Sequence, residues 1–161
     1  MDAVSFEFFD DLRRRYFPPE RNFLSAHITL FHHLPGDETA AVENDLESVA
    51  SNYEQIKLDF TGARFLGRGT AIEIDAPELL AVRKELTDKW EKYLLPQDRQ
   101  KFKPHITVQN KTAPDAAKIL FEKLKTDWQN RKGSAIGLQL WNYLGGPWQL
   151  ANEFMLGEKT I

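Results

Sequence analysis

The tripeptide His-Ile-Thr occurs twice in this chain, as His27-Ile28-Thr29 and His105-Ile106-Thr107, and the residues around the two copies are in register. A shift of 78 residues lays Asp37 on Asp115, Val42 on Leu120, Leu46 on Leu124, Leu58 on Ile136 and Phe60 on Leu138. The same shift lays Phe65-Leu66-Gly67 on Tyr143-Leu144-Gly145, and upstream it lays Val4 on Val82, Pro18 on Pro96 and Arg21 on Arg99. An internal duplication constrains the fold more tightly than any local propensity, because each element is then expected twice. The repeat units are residues 1–78 and 79–161. No linker or low-complexity stretch separates them, so they are expected to share a sheet or to pack closely.

The periodicity fills in the unit. Phe8, Leu12 and Tyr16 recur at helical spacing until Pro18-Pro19, and residues 26–34 alternate as a strand ended by Pro35-Gly36. Asp37 is placed to cap a helix with Val42, Leu46, Val49 and Tyr53 on one face. Ile56, Leu58 and Phe60 alternate, and the turn Gly67-Arg68-Gly69 leads to a strand carrying Ile72 and Ile74. The second unit follows with a helical stripe of Leu79, Val82, Leu86, Trp90 and Tyr93, then the strand His105–Gln109. A helix from Pro114-Asp115 turns Ile119, Leu120, Leu124 and Trp128 inward. Strands through Ile136–Leu140 and 148–156 complete it. One element has no counterpart: residues 71–75 map to positions before Met1, so the first unit lacks its opening strand.

On a strand, residues two apart share a face. His27 and Thr29 therefore point one way and Ile28 and Leu30 the other, and the same holds for His105 and Thr107 against Ile106 and Val108. Pseudo-twofold symmetry lets both polar faces line one cleft. Hydrolysis of a phosphodiester needs a base for water, an acid for the leaving alkoxide and donors for the charged oxygens. Histidine titrates near neutrality and can serve as either, and threonine hydroxyls can donate to non-bridging oxygens. His105 reads as the base and His27 as the acid, although near-symmetry leaves the assignment open.

Other residues carry weaker signals. Phe31 continues the His27–Thr29 face and can stack on a base, and its repeat mate Gln109 continues the other face. Arg68 and Tyr143 lie at equivalent turns, and Trp148 flanks the second. His32 and His33 read as edge histidines, and strand geometry splits His27, His32 and His33 between faces, against a metal site. Most of Arg13, Arg14, Arg15, Arg21, Arg64, Arg68, Lys101, Lys103 and Lys111 read as solvated charges. Net charge is −3, which argues against an extended nucleic-acid-binding surface but not against a local cleft for one phosphate. The chain has no cysteine, so it has no disulfide or thiolate metal site. An acidic start and the lack of a long apolar run make a cytoplasmic protein, with no membrane contact, the expectation.

The stretches Ala26-His27-Ile28-Thr29-Leu30-Phe31 and Pro104-His105-Ile106-Thr107-Val108, half a duplicated chain apart, resemble the paired HxT motifs of the 2H phosphoesterase superfamily, in particular its 2′-5′ RNA ligase-like branch. The resemblance implies an α+β, bilobal fold with two antiparallel sheets flanked by helices and a central cleft lined by both motifs. It implies His27 and His105 as the catalytic pair and Thr29 and Thr107 as phosphate ligands, with Phe31, Arg68, Gln109 and Tyr143 as candidate substrate contacts. It further implies no cofactor and no metal. The expected activity is hydrolysis of a 2′,3′-cyclic phosphate, on an RNA end or a nucleotide, to a 2′-phosphate, with 2′-5′ RNA ligation as a related capacity. ADP-ribose cyclic phosphate is an alternative substrate, and a noncatalytic phosphate- or RNA-end-binding module is the alternative function. A monomer is expected.

Overall fold

Two antiparallel sheets and four helices of 14 residues each account for most of the chain. The computed structural model describes residues 1–157. In chain order the elements are α1 (Ala3–Tyr16), α2 (Thr39–Asn52), β1 (Ile56–Phe65), β2 (Thr70–Asp75), α3 (Pro77–Trp90), β3 (His105–Gln109), α4 (Pro114–Asp127), β4 (Arg131–Ala135), β5 (Gly137–Tyr143) and β6 (Trp148–Met155). One sheet has the order β3-β2-β1-β4, and the other is the hairpin β5-β6. The α+β class that the resemblance implies is therefore found.

The chain divides into two compact units that interleave along the sequence. The first comprises residues 1–29, 58–75 and 103–134; the second takes residues 30–57, 76–102 and the described residues from 135 onward. Each unit draws on both halves of the repeat. The 78-residue shift carries α1 toward α3, β1-β2 onto β5-β6 and α4 back toward α2.

In the first unit the four-stranded sheet is packed by α1 and α4. The Asp2 carboxylate caps α1 by accepting from the Ser5 N–H at 2.9 Å, and its second oxygen accepts from Ser134 N–H at 2.7 Å on β4. This one residue thus starts the helix and ties it to the sheet edge. Phe9 and Phe60 meet with ring centroids 4.5 Å apart, and the Trp128 indole donates to the Phe60 carbonyl at 3.1 Å. The buried stripe of α1 is Ser5, Phe9 and Arg13, with Asp10 beside it. It lies one residue away from the expected Phe8-Leu12-Tyr16 stripe, because the partners of Asp10 and Arg13 are polar groups inside the unit. In α4, Ala117, Leu120 and Leu124 are buried, but Ile119, expected inward, is 72% exposed.

In the second unit, α2 buries Val42, Leu46, Val49 and Ala50, and α3 buries Leu79, Val82, Leu86 and Trp90. The Trp90 indole donates to Asp45 at 2.9 Å, which satisfies the polar end of a fully buried ring. Asp37 is not the cap of α2. Residues Gly36–Glu38 form a 3-10 turn, the helix begins at Thr39, and the Thr39 hydroxyl donates back to the Gly36 carbonyl at 2.7 Å. In β6 most side chains are exposed.

Two further differences bear on function. The edge strand β4 was not legible, since Arg131-Lys132-Gly133-Ser134-Ala135 has no apolar alternation. More importantly, residues 26–34 do not form a strand. The second motif lies on β3, whose ladder partner is β2. Among the described residues no strand is laddered to residues 26–34. Side-chain hydrogen bonds hold that segment instead.

Candidate active site

Strand β3 places the second motif as its alternation requires. Ile106 and Val108 are fully buried, while His105 and Thr107 are half-buried on the opposite face. Antiparallel pairing with β2 sets His105 opposite Glu73, Ile106 opposite Ile72 and Thr107 opposite Ala71. The register then slips, so Thr70 opposes Gln109. Thr70 donates its hydroxyl to the Ala117 carbonyl of α4 at 3.2 Å, and Gln109 opposite it is buried at 7% exposure with its Oε1 unpartnered. The irregularity thus takes Gln109 out of the half-exposed row of His105 and Thr107, where simple alternation puts it.

The first motif reaches the same unit by other means. Asp10, on α1, accepts from the Ala26 N–H at 2.9 Å, and so fixes the residue just before His27. Three positions further along α1, Arg13 donates to the carbonyl of Thr107 at 2.7 Å and to the Asn22 side chain at 2.8 Å. Its guanidinium carbon lies 4.3 Å from the centroid of the Phe17 ring. One helical turn therefore grips both motifs through their main chains. Arg13 is only 4% exposed; its two terminal nitrogens make charged hydrogen bonds, while its Nε is enclosed without a partner.

The two imidazoles are oriented by the same device. His27 Nδ1 lies 2.7 Å from the Ser25 carbonyl and His105 Nδ1 lies 2.8 Å from the Lys103 carbonyl, in each case the residue two positions upstream. A carbonyl only accepts, so each Nδ1 carries the proton and each Nε2 is the nitrogen left to exchange one. Burial pushes the His27 pKa down; its bond to Ser25 opposes this, and the charges of Arg13 and His105 add to it. Thr29 is half-buried, as Thr107 is. All four motif residues fall within the first compact unit.

The remaining candidates are dispersed. Arg68, in the first unit, is exposed at the β1-β2 turn, where its carbonyl accepts from the backbone N–H of Thr112 at 3.1 Å and from the Thr112 hydroxyl at 3.2 Å. Phe31 and Tyr143 belong to the second unit. Phe31 lies edge-on to Trp90 at 5.0 Å, with the Arg83 guanidinium 3.6 Å from its ring centroid. Tyr143 is 62% exposed and packs on Trp148 at 4.8 Å. In that unit Arg83 also donates to the carbonyls of Leu30 and Asp98, at 2.7 and 2.6 Å. The Asp98 carboxylate accepts from the main chain of His32 and His33 and from His32 Nδ1 at 2.8 Å. His32 and His33 are thus part of a structural anchor. Among the described residues, no group of three or more His, Cys, Asp and Glu side chains is placed to hold a metal ion, and no helix is long and apolar enough to cross a membrane.

Asp10, Asn22 and the particular role of Arg13 were missed from sequence. Their signal is two charged residues, at i and i+3, on the stripe of α1 that turns inward; it becomes visible only once the inward stripe is known.

No curated protein matches the chain. Among solved structures, the protein TT0787 of Thermus thermophilus superposes with a TM-score of 0.68 at 14% identity, covering 99% of this chain and 96% of that one. A structure described as a phosphoesterase superposes with a TM-score of 0.55 at 16% identity, covering 98% and 95% of the two chains. At such identities the likeness is one of fold. The sequence family described as the 2′-5′ RNA ligase superfamily matches residues 2–147, which include both HxT motifs and the helix that holds them. The chain belongs to the 2′-5′ RNA ligase superfamily of 2H phosphoesterases.

Proposed function

We propose that the protein is a metal-independent cyclic phosphodiesterase that opens a 2′,3′-cyclic phosphate at an RNA end to a 2′-phosphate. The observation that carries this reading is the matched pair of imidazoles, each with Nδ1 bonded to the carbonyl two residues upstream. Such a pair can run a proton in and a proton out without changing its own geometry.

In the proposed reaction His27 is the base, the reverse of the assignment favoured from sequence, because its surroundings disfavour the protonated form. Burial, Arg13 and His105 hold its pKa low, so it meets the substrate neutral and its Nε2 takes the proton of the attacking water. The water oxygen bonds to phosphorus while the bond from phosphorus to O3′ breaks, and His105 delivers a proton to O3′. Thr29 and Thr107 donate to the non-bridging oxygens, and the His105 imidazolium offsets charge that grows in the transition state. Each acid–base step of this kind contributes ~10²–10⁴-fold. If an RNA 5′-hydroxyl replaces water, the same bond changes produce a 2′-5′ linkage, which is the ligase counterpart of the hydrolysis.

The test is turnover of oligonucleotides with a 2′,3′-cyclic end, in the presence of a chelator, by the wild type and by His27→Ala and His105→Ala. The expected result is 2′-phosphate product from the wild type and a loss of about 10³-fold or more in each variant. Full turnover in either variant sinks the two-histidine mechanism. Tight binding of a nucleoside 2′-phosphate with no turnover of any cyclic phosphate would make the protein a binding module.

A further inference from the structure

Among the cations of the first unit that the proposed reaction does not use, Arg64 has an unpartnered nitrogen. Arg64, on β1, is half-buried, and its Nη1 is enclosed by protein with no hydrogen-bond partner. Buried guanidinium nitrogens are normally paired, because an unsatisfied charged donor keeps its full desolvation cost. Arg13, also buried, has Nη1 and Nη2 committed to Thr107 and Asn22, although its Nε is likewise unpartnered.

The sheet register says what Arg64 is near. It pairs with Ala71 on β2, and Ala71 pairs with Thr107 on β3. Directly opposed residues share a face, so Arg64, Ala71 and Thr107 form one row across three strands. The next row on that face is Gly62, Glu73 and His105. Strands lie roughly 4.8 Å apart, which puts the two ends of the row about 10 Å apart at the main chain. An extended arginine side chain is long enough to reach across that interval toward a phosphate held by the Thr107 hydroxyl. Ala71 contributes only a methyl group between them and is itself fully covered.

We infer that Arg64 is a third phosphate ligand, which meets a non-bridging oxygen of the phosphate held by Thr107 and favours a dianion over a monoanion. The inference rests on the cyclic phosphodiesterase reading above. A cyclic phosphodiester carries a single negative charge; attack by a deprotonated water adds a second, and the 2′-monoester product carries about −1.5 to −2. The threonines are neutral donors, and His27 starts neutral. A fixed guanidinium therefore gains interaction as the reaction proceeds, which is the condition for raising kcat and not merely lowering KM.

The experiment compares wild type with Arg64→Met on two readouts: kcat and KM for a nucleoside 2′,3′-cyclic phosphate, and Kd for the matching nucleoside 2′-phosphate by calorimetry. The expected result is a drop in kcat of about 10- to 100-fold and a similar weakening of 2′-phosphate binding, while KM changes less than threefold or so. A role in folding alone would lower Tm without this preference for the dianion. Unchanged kcat and unchanged 2′-phosphate affinity in the variant, with an active wild type, overturn the role of Arg64 and leave the proposed function standing. A wild type that turns over no cyclic phosphate overturns the proposed function, and the ratio of 2′-phosphate affinities then judges Arg64 alone. If the methionine variant does not fold, Arg64→Gln, which keeps a polar stem, is judged by the same two ratios.

Discussion

Arg13→Met is the most informative single change outside the motifs. The side chain is 4% exposed and donates at 2.7 Å to the Thr107 carbonyl and at 2.8 Å to Asn22 Oδ1. Methionine fills similar space but leaves both acceptors without a donor. A hydrogen bond from a charged donor contributes ~1.5–3 kcal/mol, so the two together are worth ~3–6 kcal/mol, and some of this is recovered by burying an apolar stem. A net loss of about 3–5 kcal/mol is expected. Arg14 is the internal control. Its side chain is 62% exposed and pairs with Asp10 one turn earlier, an arrangement worth ~0.5 kcal/mol or less. Equilibrium unfolding in urea at pH 7.5 should therefore separate the two variants widely while their m-values stay alike. The activity readout is independent of this. With the guanidinium gone, one of the charges that depress the His27 pKa is gone, so the acidic limb of kcat/KM moves to higher pH and the variant loses proportionally more rate at pH 6 than at pH 8. Equal stability of the two variants, with superimposable pH profiles, would refute the account of α1 as the element that grips both motifs.

Other outcomes follow from the same structure. A β-carbon on Gly69 would stand 2.0 Å from the Gln109 carbonyl oxygen and 2.6 Å from the Asn110 α-carbon, both backbone atoms that no rotamer change can move. Gly69→Ala should cost about 3 kcal/mol or more and, by displacing the end of β3, about 10²-fold in rate, as read by unfolding and turnover. Gly62→Ala meets nothing within 4 Å and should change stability by less than about 1 kcal/mol, so equal behaviour of the two variants would contradict the packing described. His27 also gives stability a pH slope. Its folded pKa lies below the ordinary histidine value of about 6.5, so on acidification the unfolded chain takes up the proton first. Its contribution is therefore neutral above that value and increasingly unfavourable as pH falls from there to the folded pKa. His27→Asn should lose less stability between pH 7.5 and pH 5 than wild type, and an identical pH slope would show that the imidazole is not held in its neutral form.

The helices and most strands were legible because their signals are local. β3 shows this best: Ile106 and Val108 alternate with His105 and Thr107, and the strand buries the first pair and half-exposes the second. The first motif has the same alternation and no strand, because a ladder needs a partner and the pattern does not record whether one exists. Gln109 fails for a related reason. Alternation places it beside Thr107, but a slip in register between β2 and β3 puts it opposite Thr70. In α1 the apolar stripe pointed one residue away from the face that is buried, since Asp10 and Arg13 take their inward position from main-chain groups distant in sequence.

The sequence by itself determined the repeat, the four motif residues and the class of chemistry they suit, because identity and spacing are all that those inferences need. Only the tertiary structure decided that a single turn of α1 fastens both motifs, that both Nδ1 atoms face carbonyls, and that Arg64 shares a row with Thr107. These are contacts between residues far apart in the chain. Nothing in a local pattern encodes which buried donor will meet which acceptor; the packing of the helix against the sheet does.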